Sequence, residues 1–192
     1  ARVLALHDVY TPVCMAQKVG IPLLVVIENE SYFICDGCDK RHEIFGSGGY
    51  ASVRDLDRAL SSLPSGQARF WGQQSNVGGI YRQLDYLLSG LPEKEALGLN
   101  IIEAQACGTP VIAVHAPPFT ETVSNGITGF LYRDPREDEG ADFGRLMDEL
   151  LAGRPRPRPE LAESHLARFS FEAFVERLRP VVADVRAQLS RV

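Results

Sequence analysis

The stretch "LPEKEALGLNIIEAQACGTPVIA", Leu91 to Ala113, decides the fold. Its polar start carries Glu95. From Gly98 to Cys107 the residues predict a helix that is apolar on most sides and so mostly buried, with Glu103 part-buried inside it. Gly108 suits the cap that closes such a helix, and Pro110 prevents its continuation. "PVIAV" then reads as the next strand. Just upstream, "YLLS" (Tyr86 to Ser89) is another short strand. Strand, loop, helix and strand in that order form the unit of a parallel sheet. Open sheets of this kind take their ligands outside the carboxyl ends of the strands.

Working outward, the same alternation continues. Toward the N-terminus the sequence predicts short strands at Val3 to Leu6 and "IPLLVVI" (Ile21 to Ile27), separated by a short helix from Cys14 to Val19. The stretch 28–50 is polar and glycine-rich, a long loop or a small hairpin. An apolar helical spacing runs from Val53 to Leu63, followed by a strand in "ARFWG" and one or two helical turns from Ile80 to Leu84. Toward the C-terminus come a strand "GFLY" (Gly129 to Tyr132) and an amphipathic helix from Asp142 to Leu151. "GRPRPRPE" predicts an extended spacer, and a last helix runs from about Phe171 to about Leu189 with a kink or break at Pro180. The fold class is α/β, a parallel sheet flanked by helices.

Composition narrows the function. A formal net charge of -5 over 192 residues argues against capture of nucleic acid. Hydrophobic residues at 45% suit a globular core. Four cysteines are too few for a disulfide scaffold of this size, which favours a reducing cytoplasm as the location. No apolar run is long enough to span a bilayer, and the start of the chain turns acidic too early for a signal peptide.

The loop-then-helix order puts Glu95 beyond the carboxyl end of a strand and aims the free N–H groups of the helix start into the same crevice. Gly98 would let a phosphate approach the backbone. Helical rise separates the carboxylates of Glu95 and Glu103 by roughly 8–12 Å. That is too wide to share a proton and wide enough to hold both ends of a hydroxyl-rich ligand. The residues alone leave a second reading open, in which both glutamates are ordinary surface groups.

Here the residues carry a resemblance. Glu95, Glu103, Ala104, Ala106, Gly108, Pro110 and Val111 follow the pattern Glu, seven residues, Glu, Ala-x-Ala-x-Gly-x-Pro-Val. With "ARFWGQQSNVGGIYRQLDYLLSG", Glu121, "NGITGFL" and "ARFSFEAFVERL", residues 68–180 resemble the donor-binding half of retaining GT-B glycosyltransferases, of the glycosyltransferase family 4 or group 1 type. The resemblance implies a Rossmann-like half of a GT-B fold over residues 51–192. It implies a nucleotide diphosphate sugar as donor and transfer of a hexose with retention. It casts Glu95 as the catalytic contact to the hexose, the backbone at Gly98 and Leu99 as the diphosphate cradle, and Glu103 as the ribose ligand. It requires no cofactor or metal for glycosyl transfer, leaves the acceptor unknown, and implies a peripheral membrane location if that acceptor is lipid-linked. The Arg and Lys that the family supplies to the diphosphate have no counterpart near Gly46 and Arg54, and the acceptor-binding domain is missing. The expectation is therefore a donor-binding scaffold, inactive in transfer unless a second domain is supplied.

A different resemblance covers residues 9–49. "GIPLLVVIENESYFICDGCDKRHEIFGSGG" is similar to the Mrp-type P-loop ATPases that carry iron–sulfur clusters, although the Gly-Lys phosphate loop occurs nowhere in the chain. It implies that Cys35 and Cys38 ligate an iron–sulfur cluster shared across a homodimer. A zinc ion would need further ligands, of which His42 is one candidate. Two plain reduced thiols remain the other reading of the pair. Residues 1–50, a strand-helix-strand with the Cys-x-x-Cys loop, and residues 51–192 are expected to pack as one α/β unit. A chimera with neither activity is the third expectation.

Overall fold

The computed structural model describes residues 4–7, 25–26, 33–34, 41–42, 74, 76–89 and 97–189. The helices expected at 14–19 and 53–63, the strand "ARFWG", Cys14, Cys35, Cys38 and Glu95 lie outside the described residues.

Strands β1 (Leu4–His7) and β2 (Val25–Val26) pair in parallel. Strands β3 (Phe33–Ile34) and β4 (Arg41–His42) form a separate antiparallel hairpin, the smaller of the two alternatives read from the sequence. Among the described residues, strands β5 (Tyr86–Ser89), β6 (Val111–Val114) and β7 (Gly129–Tyr132) complete a five-stranded sheet of order β2-β1-β5-β6-β7, with every neighbouring pair parallel. All residues of β5 and β6 are buried, which accounts for their unbroken apolar sequence. Gly129 opens β7 because nothing larger fits: a Cβ there would lie 2.2 Å from the carbonyl oxygen of Val111.

The helices follow from caps and periodicity. Helix α1 (Val77–Tyr81) begins three residues earlier than its apolar residues indicate, because the Asn76 side chain accepts the N–H of Gly79 and fixes the start. Helix α2 (Leu99–Ala106) begins after Gly98 and ends at Cys107, which is half-buried against the core. Helix α3 (Phe119–Thr122) and helix α4 (Pro135–Asp138) are single turns. Helix α5 (Ala141–Leu151) buries Phe143, Leu146, Met147 and Leu150, the one stripe its spacing predicts. Those four side chains together remove apolar surface worth roughly 6–12 kcal/mol in gross terms. Helices α6 (Glu163–Ala167) and α7 (Phe171–Leu189) close the chain, with Pro180 inside α7.

Two expectations need correction. Helix α2 is not apolar and buried on most sides: Leu99 is 53% exposed, while polar Asn100 and Gln105 are buried. Gln105 tolerates burial because its side-chain amide donates to the carbonyls of Ile101 and Thr122. The proline-rich segment has no regular secondary structure from Arg154 to Arg158 and does not serve as a free spacer. Pro157 and Pro159 are buried, and Arg156 donates to the carbonyls of Asp85 (3.0 Å) and Leu84 (3.3 Å) just ahead of β5. A short 3-10 turn, Pro159–Leu161, then leads to α6.

Candidate functional site

The strand order reverses direction at β1. Chain order moves from β1 outward to β2, then resumes with β5 on the other side of β1. Such a switch point opens a crevice beyond the carboxyl ends of the two strands. Those ends are His7 and Ser89, which are direct partners in the ladder. Helix α2 follows β5 and starts at this edge.

Gly98 shapes that start. It adopts φ +74°, a left-handed conformation, and is buried. A Cβ would sit 3.1 Å from Ile101 Cγ1 and 3.3 Å from Phe119 Cε1. Backbone angle and space both select glycine. The Gly98 carbonyl accepts from Ile101 (3.0 Å) and Ile102 (3.3 Å), so the N–H groups of Leu99 and Asn100 precede the first intrahelical bonds. The partial positive charge of an α-helix start is concentrated there. Among the described residues, the buried side-chain nitrogen of Asn100 has no hydrogen-bond partner.

Glu103 lies one turn further on. It is exposed, not part-buried, and accepts from the hydroxyl of buried Tyr81 at 3.4 Å. That long bond occupies little of a carboxylate's acceptor capacity and leaves room for two further hydroxyls. Tyr81 is itself held from α2's far end, where the Thr109 hydroxyl donates to the Tyr81 carbonyl. The structure thus brings Gly98, Leu99 and Glu103 together on one helix. Tyr81 and Asn100 were missed in the sequence. An Asn inside the otherwise apolar "LNII" was the available signal for the second.

A second cleft, of about 320 Å³, lies at the carboxyl ends of β6 and β7, lined in part by His115, Arg133, Asp134 and Asp142. His115 is exposed there, as its place after "PVIAV" implies. The Arg136 guanidinium holds Asp134 below the ordinary carboxylate value, and Arg145 does the same for Asp142, aided by the N–H of Arg133. Burial, and secondarily the Asp134 charge, push the Tyr132 phenol above its ordinary value, and its hydroxyl donates to the Ser89 carbonyl at 3.3 Å. Among the described residues, no three His, Cys, Asp or Glu side chains are grouped to hold a metal ion, and no helix is long and apolar enough to cross a membrane.

The model of the family described as glycosyl transferases group 1 matches residues 43–163. This chain belongs to the group 1 glycosyl transferases. Its relatives include the D-inositol 3-phosphate glycosyltransferase of Mycolicibacterium vanbaalenii, 31% identical over 153 residues, which are 74% of this chain and 32% of that protein. The protein of the same description from Mycobacterium tuberculosis is 33% identical over 152 residues, 74% of this chain and 31% of the relative. This group 1 chain therefore spans about a third of the length of these curated relatives.

Solved structures agree on the fold. Anabaena HepE in complex with UDP and glucose matches at a TM-score of 0.67 and 17% identity, over 95% of this chain and 48% of that one. Sucrose-phosphate synthase from Thermosynechococcus elongatus matches at 0.69 and 20% identity, over 97% and 46%. The group 1 chain is a Rossmann-like half of a GT-B structure. A second model, described as NUBPL iron-transfer P-loop NTPase, matches residues 1–65 and overlaps the first over 43–65.

Proposed function

We propose that the chain binds the nucleotide diphosphate of an activated sugar against the start of α2. The single observation that carries this reading is the glycine-shaped helix start at the carboxyl end of β5, with exposed Glu103 one turn beyond it. The N–H groups of Leu99 and Asn100 cradle the diphosphate, and Glu103 accepts from the two ribose hydroxyls. Glu95 contacts the hexose. UDP in a fold-level neighbour and the names of the curated relatives support a donor of this class.

The chemistry is hexosyl transfer with retention. The helix start stabilises the charge that develops on the departing diphosphate, and the glutamates orient the sugar. Transfer requires the acceptor-binding half that this stretch of chain does not contain. Calorimetric titration with UDP- and GDP-sugars tests the binding step. Saturable binding in the micromolar to millimolar range supports the proposal, and no heat at millimolar donor counts against it. Glu103→Ala weakens binding of every donor more than Glu95→Ala does, because ribose is common to all of them. Equal losses would remove that division of roles.

A second reading concerns Cys35 and Cys38. Similarity of residues 1–65 to the iron-transfer NTPases supports an iron–sulfur site built from this pair. Anaerobic reconstitution with iron and sulfide tests it. A colourless product, or uptake unchanged in Cys35→Ala, rules it out.

A further inference from the structure

We propose that the side-chain amide of Asn100 is a third donor to the diphosphate, beside the N–H groups of Leu99 and Asn100. The inference rests on the donor site proposed above and adds a side chain that selects the phosphate oxygens. Among the described residues, two buried side-chain atoms lack a hydrogen-bond partner, Asn100 Nδ2 and Gln105 Oε1. They differ in kind. Gln105 is anchored through its nitrogen, which donates to the carbonyls of Ile101 (3.0 Å) and Thr122 (2.9 Å). Its oxygen is what those two bonds leave over. In Asn100 the donor end itself is unanswered, although the residue is only 6% exposed. A buried donor without a partner weakens the fold by the full cost of its lost hydration, so it calls for a specific explanation.

Its position supplies one. Asn100 is the second residue of α2, an eight-residue helix. Each Cα–Cβ bond of a helix tilts toward the N-terminus. At the second position no full turn lies ahead to receive the side chain, so the amide leans toward the helix start. The N–H groups of Leu99 and Asn100 point the same way, because the first intrahelical bonds are those from Ile101 and Ile102 to the Gly98 carbonyl. Three neutral donors therefore converge at one end of α2. A phosphate is the complementary ligand, since its oxygens accept several N–H groups at once. A sugar hydroxyl is a poorer match, because it brings a donor of its own into a cluster of donors. The last torsion of an Asn side chain is broad, so the amide turns to the ligand without moving the helix. Burial strengthens the bond it then makes.

Calorimetric titration of the full chain with inorganic pyrophosphate, UDP and UDP-glucose tests the assignment. Asn100→Leu keeps the branched outline of the side chain and removes the donor. It is expected to weaken all three ligands by a similar factor, about 10- to 100-fold. The same substitution is expected to raise the urea midpoint of the ligand-free chain, because the unanswered donor is gone. Asn100→Asp keeps the shape, and a helix start tolerates its charge, but that charge opposes the phosphate. It should lose at least as much affinity as Asn100→Leu, which keeps the test decisive if the leucine variant fails to fold. A wild type that binds none of the three overturns the donor site and this inference with it. Wild-type binding of UDP with the affinity unchanged in Asn100→Leu and Asn100→Asp overturns this inference alone and leaves the backbone cradle standing. A loss confined to UDP-glucose places the amide on the hexose and overturns it. A lowered urea midpoint in Asn100→Leu shows the nitrogen already satisfied and overturns it as well.

Discussion

Tyr81 and Glu103 meet across 3.4 Å, and their contact joins α1 to the outer face of α2 at the helix that begins with Gly98. A buried phenol thus orients an exposed carboxylate without consuming its acceptors. Removal of the carboxylate should cost more than removal of the hydroxyl. Glu103→Ala is expected to lower affinity for a UDP-sugar by about 10- to 100-fold, and Tyr81→Phe by about two- to fivefold. Isothermal titration of both variants checks the order. An equal or larger loss in Tyr81→Phe contradicts it.

Gly98→Ala should damage fold and site together. Left-handed backbone costs a residue with a Cβ about 1–2 kcal/mol, and the new methyl meets Ile101 and Phe119. Chemical denaturation should show that loss. Donor binding should fall even below the denaturation midpoint, because relief of the contact displaces the first turn of α2. Retained affinity would move the diphosphate away from Gly98.

Thr109→Val removes the hydroxyl that satisfies the Tyr81 carbonyl while conserving volume. The buried acceptor left behind should cost about 1–3 kcal/mol, read as a lower urea midpoint. The N–H of Thr109 bonds to the Ala104 carbonyl at 2.9 Å and is unaffected.

Asp142 links acidity to stability. Its side chain accepts from Arg145 first and from the Arg133 N–H second, and both hold its pKa below the ordinary 3.8. A depressed carboxylate stabilises the fold fully above its unfolded pKa and loses that contribution as pH falls through the folded value. Asp142→Asn should therefore destabilise near neutral pH, by less than about 1 kcal/mol for a partly exposed pair. The deficit should shrink below pH 3.8, in denaturation curves compared across that range.

Much of the fold was legible because some segments carry their own instructions. Strands β5, β6 and β7 are written as short apolar runs, and α5 as a stripe at three and four. The single-turn helices α3 and α4 were invisible. Four residues give no periodicity, and the α3 turn is set by the burial of Phe119 and Thr122 against the rest of the molecule. The helix α2 misled in a more instructive way. Its sequence reads as apolar nearly all round, yet Leu99 faces out while Gln105 is sealed in. The amide of Gln105 is answered by the Thr122 carbonyl, to which His165 Nε2 also lies within 3.0 Å. Hydrophobicity ranks side chains by their average habits and cannot see a partner supplied seventeen residues away. For the same reason spacing pointed to Gly98 and Glu103 and the family resemblance to Leu99, while only proximity in the fold points to Tyr81.

The β1–β5 ladder has a consequence for anyone cutting this gene. Leu4 through His7 match the iron-transfer model, Tyr86 through Ser89 match the transferase model, and the two runs are hydrogen-bonded residue for residue. The boundary between strands matched by different family models therefore runs down the middle of a sheet and not along a tether. A fragment trimmed to its transferase stretch would bare a flat, greasy strand edge of the kind that recruits other chains into aggregates.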